Sequence, residues 1–177
     1  IKRRHAQIQI ALIMIGCQLS FDTWVAYNDR GIIYKDKKIC EITGVISDLK
    51  NVQLLRSYQE AIDAALMIDC IWFRNNKCMP AVIEIEHTTD VKSGLIRMRK
   101  LYDYIPPLKN VRWVIAAPDD DRNKVIAEAN TPQFKDLEVK FFPYTAIEEL
   151  YSLCQRRKIK GITDDFLDCF MEKCNEN

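Results

Sequence analysis

Ala81-Val82-Ile83-Glu84-Ile85-Glu86 reads as a buried strand that carries two acids on one side. Side chains alternate along a strand, so Glu84 and Glu86 share a face, about 6.6 to 7 Å apart along it. The run before it, Met67-Ile68-Asp69-Cys70-Ile71-Trp72-Phe73, reads as a second strand and adds Asp69. Carboxylates planted among Ile, Val, Trp and Phe are costly to bury unless they are paired or hold a cation, and three together repel one another. A divalent cation removes that cost. Hard oxygen donors suit Mg²⁺, for which Mn²⁺ can substitute, and this chemistry points toward a phosphodiester.

Outward from these strands, Asn75-Asn76-Lys77 turns one into the other as an antiparallel pair. Upstream, Ile8, Leu12, Ile15 and Leu19 recur at helical spacing and predict an amphipathic helix over 3–19, with Gly16 inside it. Residues 21–27 read as a strand, and Asn28-Asp29-Arg30-Gly31 as a turn into Ile32-Ile33-Tyr34, which predicts a hairpin. Residues 35–56 show no clear period and read as an elaboration of the fold. Ser57 and Glu60 match a capping box before a short helix over 61–66. Downstream, Thr88-Thr89-Asp90 offers caps for a helix carrying Val91, Leu95, Met98, Leu101 and Ile105, which Pro106-Pro107 ends. Arg112-Trp113-Val114-Ile115-Ala116-Ala117 reads as a buried strand lying parallel to a neighbour through that crossover helix. A helix over 121–130, a final strand over 138–142 and a helix over 145–154 complete the pattern. The order helix, strand, strand, strand, helix, strand predicts an α/β core with a mixed central sheet flanked by helices, its acidic strands near the middle.

The chain has 177 residues, of ordinary size for one domain, and 1–177 reads as a single unit. It opens on Ile1 rather than Met, as a domain excised from a longer chain does. Lys plus Arg (26) nearly cancels Asp plus Glu (25), so any nucleic acid must be held by local basic groups: Lys2-Arg3-Arg4; Lys92, Arg97, Arg99 and Lys100; or Arg156-Arg157-Lys158 with Lys160. Seven cysteines with no C-x-x-C pair argue against structural zinc and a disulfide framework, and for reduced thiols in the cytoplasm. Two histidines, His5 and His87, exclude a three-histidine zinc site. Lys2-Arg3-Arg4 before Ile8 to Ile15 imitates a secretory leader, but Gln7 and Gln9 interrupt the apolar stretch, which is also too short to span a membrane.

Asp69, followed after fourteen residues by Glu84-Ile85-Glu86 and then a helix, resembles the PD-(D/E)XK nuclease superfamily, the fold of many restriction endonucleases. The resemblance covers about residues 3–117. Ile83 to Thr89 with Ser93 to Met98, together with Arg4-His5, Ile8-Gln9, Trp24-Val25-Ala26 and Ala117-Pro118-Asp119, is similar to restriction-type prokaryotic nuclease domains. Ile68 stands where Pro usually precedes the first acid, and Glu86 stands where Lys is usual, a D…E-x-E variant. The resemblance implies that Asp69, Glu84 and the Ile85 carbonyl hold the metal. It makes Glu86 a general base or a ligand of a second ion, and a first-helix polar residue, here Gln9 beside His5, completes the catalytic set.

Thr88, Thr89 and Lys92 sit at a helix start where backbone N–H groups accept a phosphate, and with Arg97 they form the expected nucleic-acid contact. His87 alternates away from the acids and reads as a packed histidine. Asp119-Asp120-Asp121 and Asp164-Asp165 read as helix-start acids, and Trp24, Trp72 and Trp113 as core. Three functions remain open from these residues. The first is a Mg²⁺-dependent endonuclease on double-stranded DNA from a restriction or defence system, acting as a homodimer or with an attached recognition domain. The second is an inactive nuclease-fold module that binds nucleic acid or a protein partner. The third is a metal-dependent hydrolase of a smaller phosphate ester.

Overall fold

Ile8, Leu12 and Ile15 line the buried side of a first helix, α1 (Lys2–Gln18), in a computed structural model that describes residues 2–87 and 90–175. Most of a helix's stability in a protein comes from packing its apolar face. Burying those three side chains, at about 2 kcal/mol each, is what holds α1 on the sheet. Gly16 belongs in this helix because two neighbours approach it closely. A methyl there meets Thr23 Oγ1 at 2.5 Å and Trp72 Nε1 at 2.8 Å.

The chain continues through β1 (Asp22–Val25), β2 (Ile33–Tyr34), β3 (Lys37–Lys38), α2 (Gln59–Ala65), β4 (Cys70–Arg74) and β5 (Cys78–Ile85). It then forms α3 (Val91–Tyr104), β6 (Arg112–Ala117), α4 (Arg122–Ala129), β7 (Lys140–Pro143), α5 (Tyr144–Arg156) and β8 (Glu172–Lys173). A six-stranded mixed sheet has the order β1-β4-β5-β6-β7-β8. β1, β4 and β5 are successively antiparallel, β5, β6 and β7 are parallel, and β8 returns antiparallel to β7. Helices flank both faces, and the acidic strand β5 is central.

Alternation sorts the two faces. Ala81, Ile83 and Ile85 point with Trp72 and Val114 toward α1 and α5. Val82 points with Ile71, Phe73 and Ile115 toward Leu95 and Met98 of α3. Glu84 and Glu86 have the parity of Val82, and a methyl on Gly94 of α3 would touch Glu84 Cβ at 3.1 Å. The three tryptophans are core, as expected, at 2, 0 and 4% exposure for Trp24, Trp72 and Trp113.

Three expectations are corrected. Residues 21–27 form no hairpin with Ile32-Ile33-Tyr34. β1 instead pairs with β4, Asp22 opposite Phe73 through Val25 opposite Cys70, because buried Trp24 and Val25 need a long apolar partner. A 3-10 turn at Tyr27–Asp29 redirects the chain. The local hairpin is β2 with β3, closed by Lys35 and Asp36, both at positive φ as a two-residue turn requires. The Ser57 capping box does not form, since α2 begins at Gln59 with Tyr58 at its N-cap and no side-chain cap. The 138–142 strand is not the last, because β8 follows it.

Residues 44–46 run beside β1, where Thr23 N–H donates to the Gly44 carbonyl and Thr23 C=O accepts from Ile46 N–H, both at 2.8 Å. At the other side of the sheet, buried Arg112 donates to Asp168 at 2.7 and 3.0 Å and to Asp165 at 3.2 Å. Lys140 pairs with Asp168, and Arg74 with Asp164, so Asp164 and Asp165 are structural. Asp119 likewise accepts from Thr145 at the start of α5. All seven cysteines are free thiols. Among the described residues no helix is long and apolar enough to cross a membrane.

Candidate active site

Asp69 enters the site just ahead of β4, and strand pairing delivers it to β5. Its Oδ2 accepts the Ile85 N–H at 2.7 Å, a bond across 16 residues of chain. That bond leaves Oδ1 facing His5 of α1, whose Nε2 lies 3.5 Å away. Burial raises the Asp69 pKa above the ordinary carboxylate value, with His5 and the Ile85 N–H opposing it.

Glu84 is fully buried, with Asp69 beside it and Arg97 over it. Arg97 of α3 donates from Nε to Glu84 Oε1 at 2.9 Å and from Nη2 to Glu84 Oε2 at 2.7 Å. The same Nη2 reaches Glu86 Oε1 at 3.0 Å. Burial first, and then the Asp69 charge, push the Glu84 carboxyl well up, against the pull of Arg97. Glu86 is raised to about 7, chiefly by burial, again with Arg97 opposing. Arg97, expected to hold nucleic acid, is instead the internal counter-ion of the two glutamates, because its position on α3 lies directly over them.

Gln9, expected in the catalytic set, is wholly buried. Its Nε2 donates to Asp29 Oδ2 at 3.2 Å and to the Asp69 carbonyl at 3.0 Å, which makes it a positioning group. Its Oε1 has no hydrogen-bond partner among the described residues. Asp29, read from sequence as turn chemistry, folds beneath His5, with its Oδ2 3.7 Å from Nε2. His5 lowers the Asp29 pKa. Burial alone would lower the His5 pKa, but Asp29 and Asp69 outweigh it and raise it.

Asp69, Ile85, Glu86, His5, Asp29 and Arg97 line an open cavity of about 730 Å³, with Lys2 and Arg3 also among its lining residues. Three carboxylates, Asp29, Asp69 and Glu86, therefore share one cavity with the Arg97 guanidinium and the His5 imidazole, and their mutual repulsion is what a cation would relieve. Glu84 is not among the lining residues, since Arg97 covers it. His87 packs edge-on against Tyr144 with ring centres 5.4 Å apart, as a packed histidine should. Lys92 is exposed in the first turn of α3, while Thr88 and Thr89 lie outside the described residues. Of the other basic groups, Arg4 pairs with Glu148, and Arg99 with Asp103 and Asp136.

Residues 1–174 match the family described as the type II restriction enzyme NmeDI C-terminal domain. Type II restriction enzyme NmeDI of Neisseria meningitidis serogroup C is 58% identical over 176 residues, covering 98% of this chain and 50% of that protein. The chain thus spans about half the length of the curated relative it matches. No solved structure gives a significant match.

Proposed function

Since the chain belongs to the family of the type II restriction enzyme NmeDI C-terminal domain, we propose that it is the cleavage unit of a metal-dependent endonuclease acting on double-stranded DNA in restriction or defence. The observation that carries this reading is the bond from Ile85 N–H to Asp69 Oδ2, which fixes one acid against the Glu84-Ile85-Glu86 strand at an open cavity. The order α1-β1-β4-β5-α3-β6 supports a PD-(D/E)XK core within a single 1–177 domain, with Glu86 in the place of the usual lysine.

The donor chemistry fits a divalent cation: the carboxylates of Asp29, Asp69 and Glu86 share the lining of one open cavity, with room beside them. Asp69 with the Ile85 carbonyl would hold Mg²⁺, or Mn²⁺ in its place, and Glu84 would join them once Arg97 releases its carboxylate. When bound, the ion lowers the pKa of a water and neutralises charge on phosphate oxygens. Glu86, with its pKa near 7, is poised to take a proton from a water in the cavity at neutral pH. Lys2 and Arg3 in the cavity wall offer charge to a phosphate backbone, as does exposed Lys92 beside Thr88 and Thr89. Cutting both strands calls for two such sites, supplied by a homodimer, and target recognition for loops or an attached domain.

Plasmid DNA incubated with the chain and Mg²⁺ or Mn²⁺ tests this. The wild type nicks or linearises it and Asp69→Ala does not. The capping of Glu84 by Arg97 favours a second reading, a nuclease-fold module that binds without cutting. Retained DNA binding with no cleavage under either metal selects it.

A further inference from the structure

His5 comes from α1, Asp29 from the turn after β1, and Asp69 from the approach to β4, yet one donor atom of each lies within 4.8 Å of the others. Their separations are informative. His5 Nε2 stands 3.7 Å from Asp29 Oδ2 and 3.5 Å from Asp69 Oδ1, longer than ordinary hydrogen bonds of about 2.7–3.2 Å. Ligands at about 2.0–2.2 Å from one ion in a tetrahedral array stand roughly 3.3–3.6 Å apart. The two His5 separations lie close to that spacing, and all three donor atoms fall within 4.8 Å of one another.

Gln9 holds the set in place. Its side chain is wholly buried, and its Nε2 donates to both Asp29 Oδ2 and the Asp69 carbonyl, which ties the turn after β1 to the approach to β4. The remaining oxygens are already oriented, because the Ile85 N–H fixes Asp69 Oδ2 and turns Oδ1 toward His5.

We infer that His5, Asp29 and Asp69 form a divalent-cation site, which shares Asp69 with the nuclease set but not the Glu84–Arg97 pair and is suited to a first-row transition ion such as Mn²⁺ rather than to Mg²⁺. An imidazole among oxygen donors selects in that direction, since Mg²⁺ keeps oxygen ligands and water. The inference deepens the nuclease reading and rests on it for the ion's purpose, but not for its existence.

Mn²⁺ titration of the 177-residue chain without DNA, followed by electron paramagnetic resonance, tests it. The chain holds only two histidines, so a ¹⁴N coupling to bound Mn²⁺ can be assigned by substitution. The expected result is a coupled ion in the wild type and in His87→Ala, with the coupling lost in His5→Ala. Asp29→Asn should weaken the ¹⁴N-coupled Mn²⁺ at least about tenfold, whereas Asp120→Asn, at an exposed carboxylate outside the cavity, should leave its affinity within about threefold. A tenfold excess of Mg²⁺ should not displace the ion. If His5→Ala fails to fold, the coupling retained in His87→Ala still assigns the ligand. No bound Mn²⁺, binding without ¹⁴N coupling, or a coupled ion held undiminished by Asp29→Asn would overturn the site. Plasmid cleavage is scored separately. Cleavage without a coupled ion removes this site and leaves the nuclease reading, and a coupled ion without cleavage does the reverse.

Discussion

Replacing Arg97 by alanine removes three charge-assisted hydrogen bonds, two to Glu84 at 2.9 and 2.7 Å and one to Glu86 at 3.0 Å. Glu84 has no exposure through which water could replace them, whereas the Arg97 side chain is 36% exposed and partly screened. Breaking a buried ion pair costs about 3–5 kcal/mol, because the remaining charge is left unpaired. The screening of Arg97 places this case near the lower end, about 3 kcal/mol. For a chain of this size that lowers the thermal midpoint by roughly 6–12 °C. Urea unfolding followed by circular dichroism measures the loss directly, with an unchanged slope showing that only stability has moved. Adding Glu84→Gln to Arg97→Ala should recover more than half of it, since the stranded charge is gone. A loss below about 1 kcal/mol, or a double variant no more stable than Arg97→Ala, would refute the view that Arg97 exists to neutralise Glu84.

In the metal-free protein the Glu86 pKa is raised from 4.5 to about 7 on folding, so its contribution is fully present below 4.5 and is lost as pH rises through about 7. The urea midpoint should fall between pH 5 and 8, and Glu86→Gln should flatten that fall; an equal slope in the variant would contradict it. Asp168 behaves oppositely, with a pKa lowered from 3.8 to about 2 by Arg112 and Lys140, so its contribution is present above 3.8 and lost as pH falls through about 2. Being 38% exposed it is worth only about 1 kcal/mol, the expected gap between wild type and Asp168→Asn at pH 7, which should close near pH 2. Gly16→Ala should cost about 2 kcal/mol, since Trp72 cannot yield. Gly94→Ala should displace Glu86 from Arg97 and bring its pH dependence with it, readable in the same unfolding series.

Residues whose partners are near in sequence, or whose neighbours are all apolar, were legible. The antiparallel acidic strands, their Asn75-Asn76 turn and the crossover helix α3 follow from alternation, turn chemistry and helical spacing, and they appear as read. β1 was misassigned because its partner, β4, lies more than forty residues on, while Ile32-Ile33-Tyr34 offered a closer apolar run. The silent stretch 35–56 holds short 3-10 turns and a single bridge to Thr23, which leave no period to detect. Asp29 sits in Asn-Asp-Arg-Gly, whose turn chemistry hides a ligand's role. Only its convergence with His5 in space exposes it. Arg97 was visible as a cation close to the acids, but a helix face does not say whether its charge turns inward or toward solvent.

The strip 44–46 along β1 has a further consequence for assembly. An open strand margin invites another chain to add on, which is how sheets polymerise. Here the outward N–H and C=O of Thr23 are already taken by Gly44 and Ile46, and the opposite margin ends in the two-residue β8. Copies of the chain that associate must therefore meet through helices or loops, and the chain is shielded from edge-to-edge aggregation.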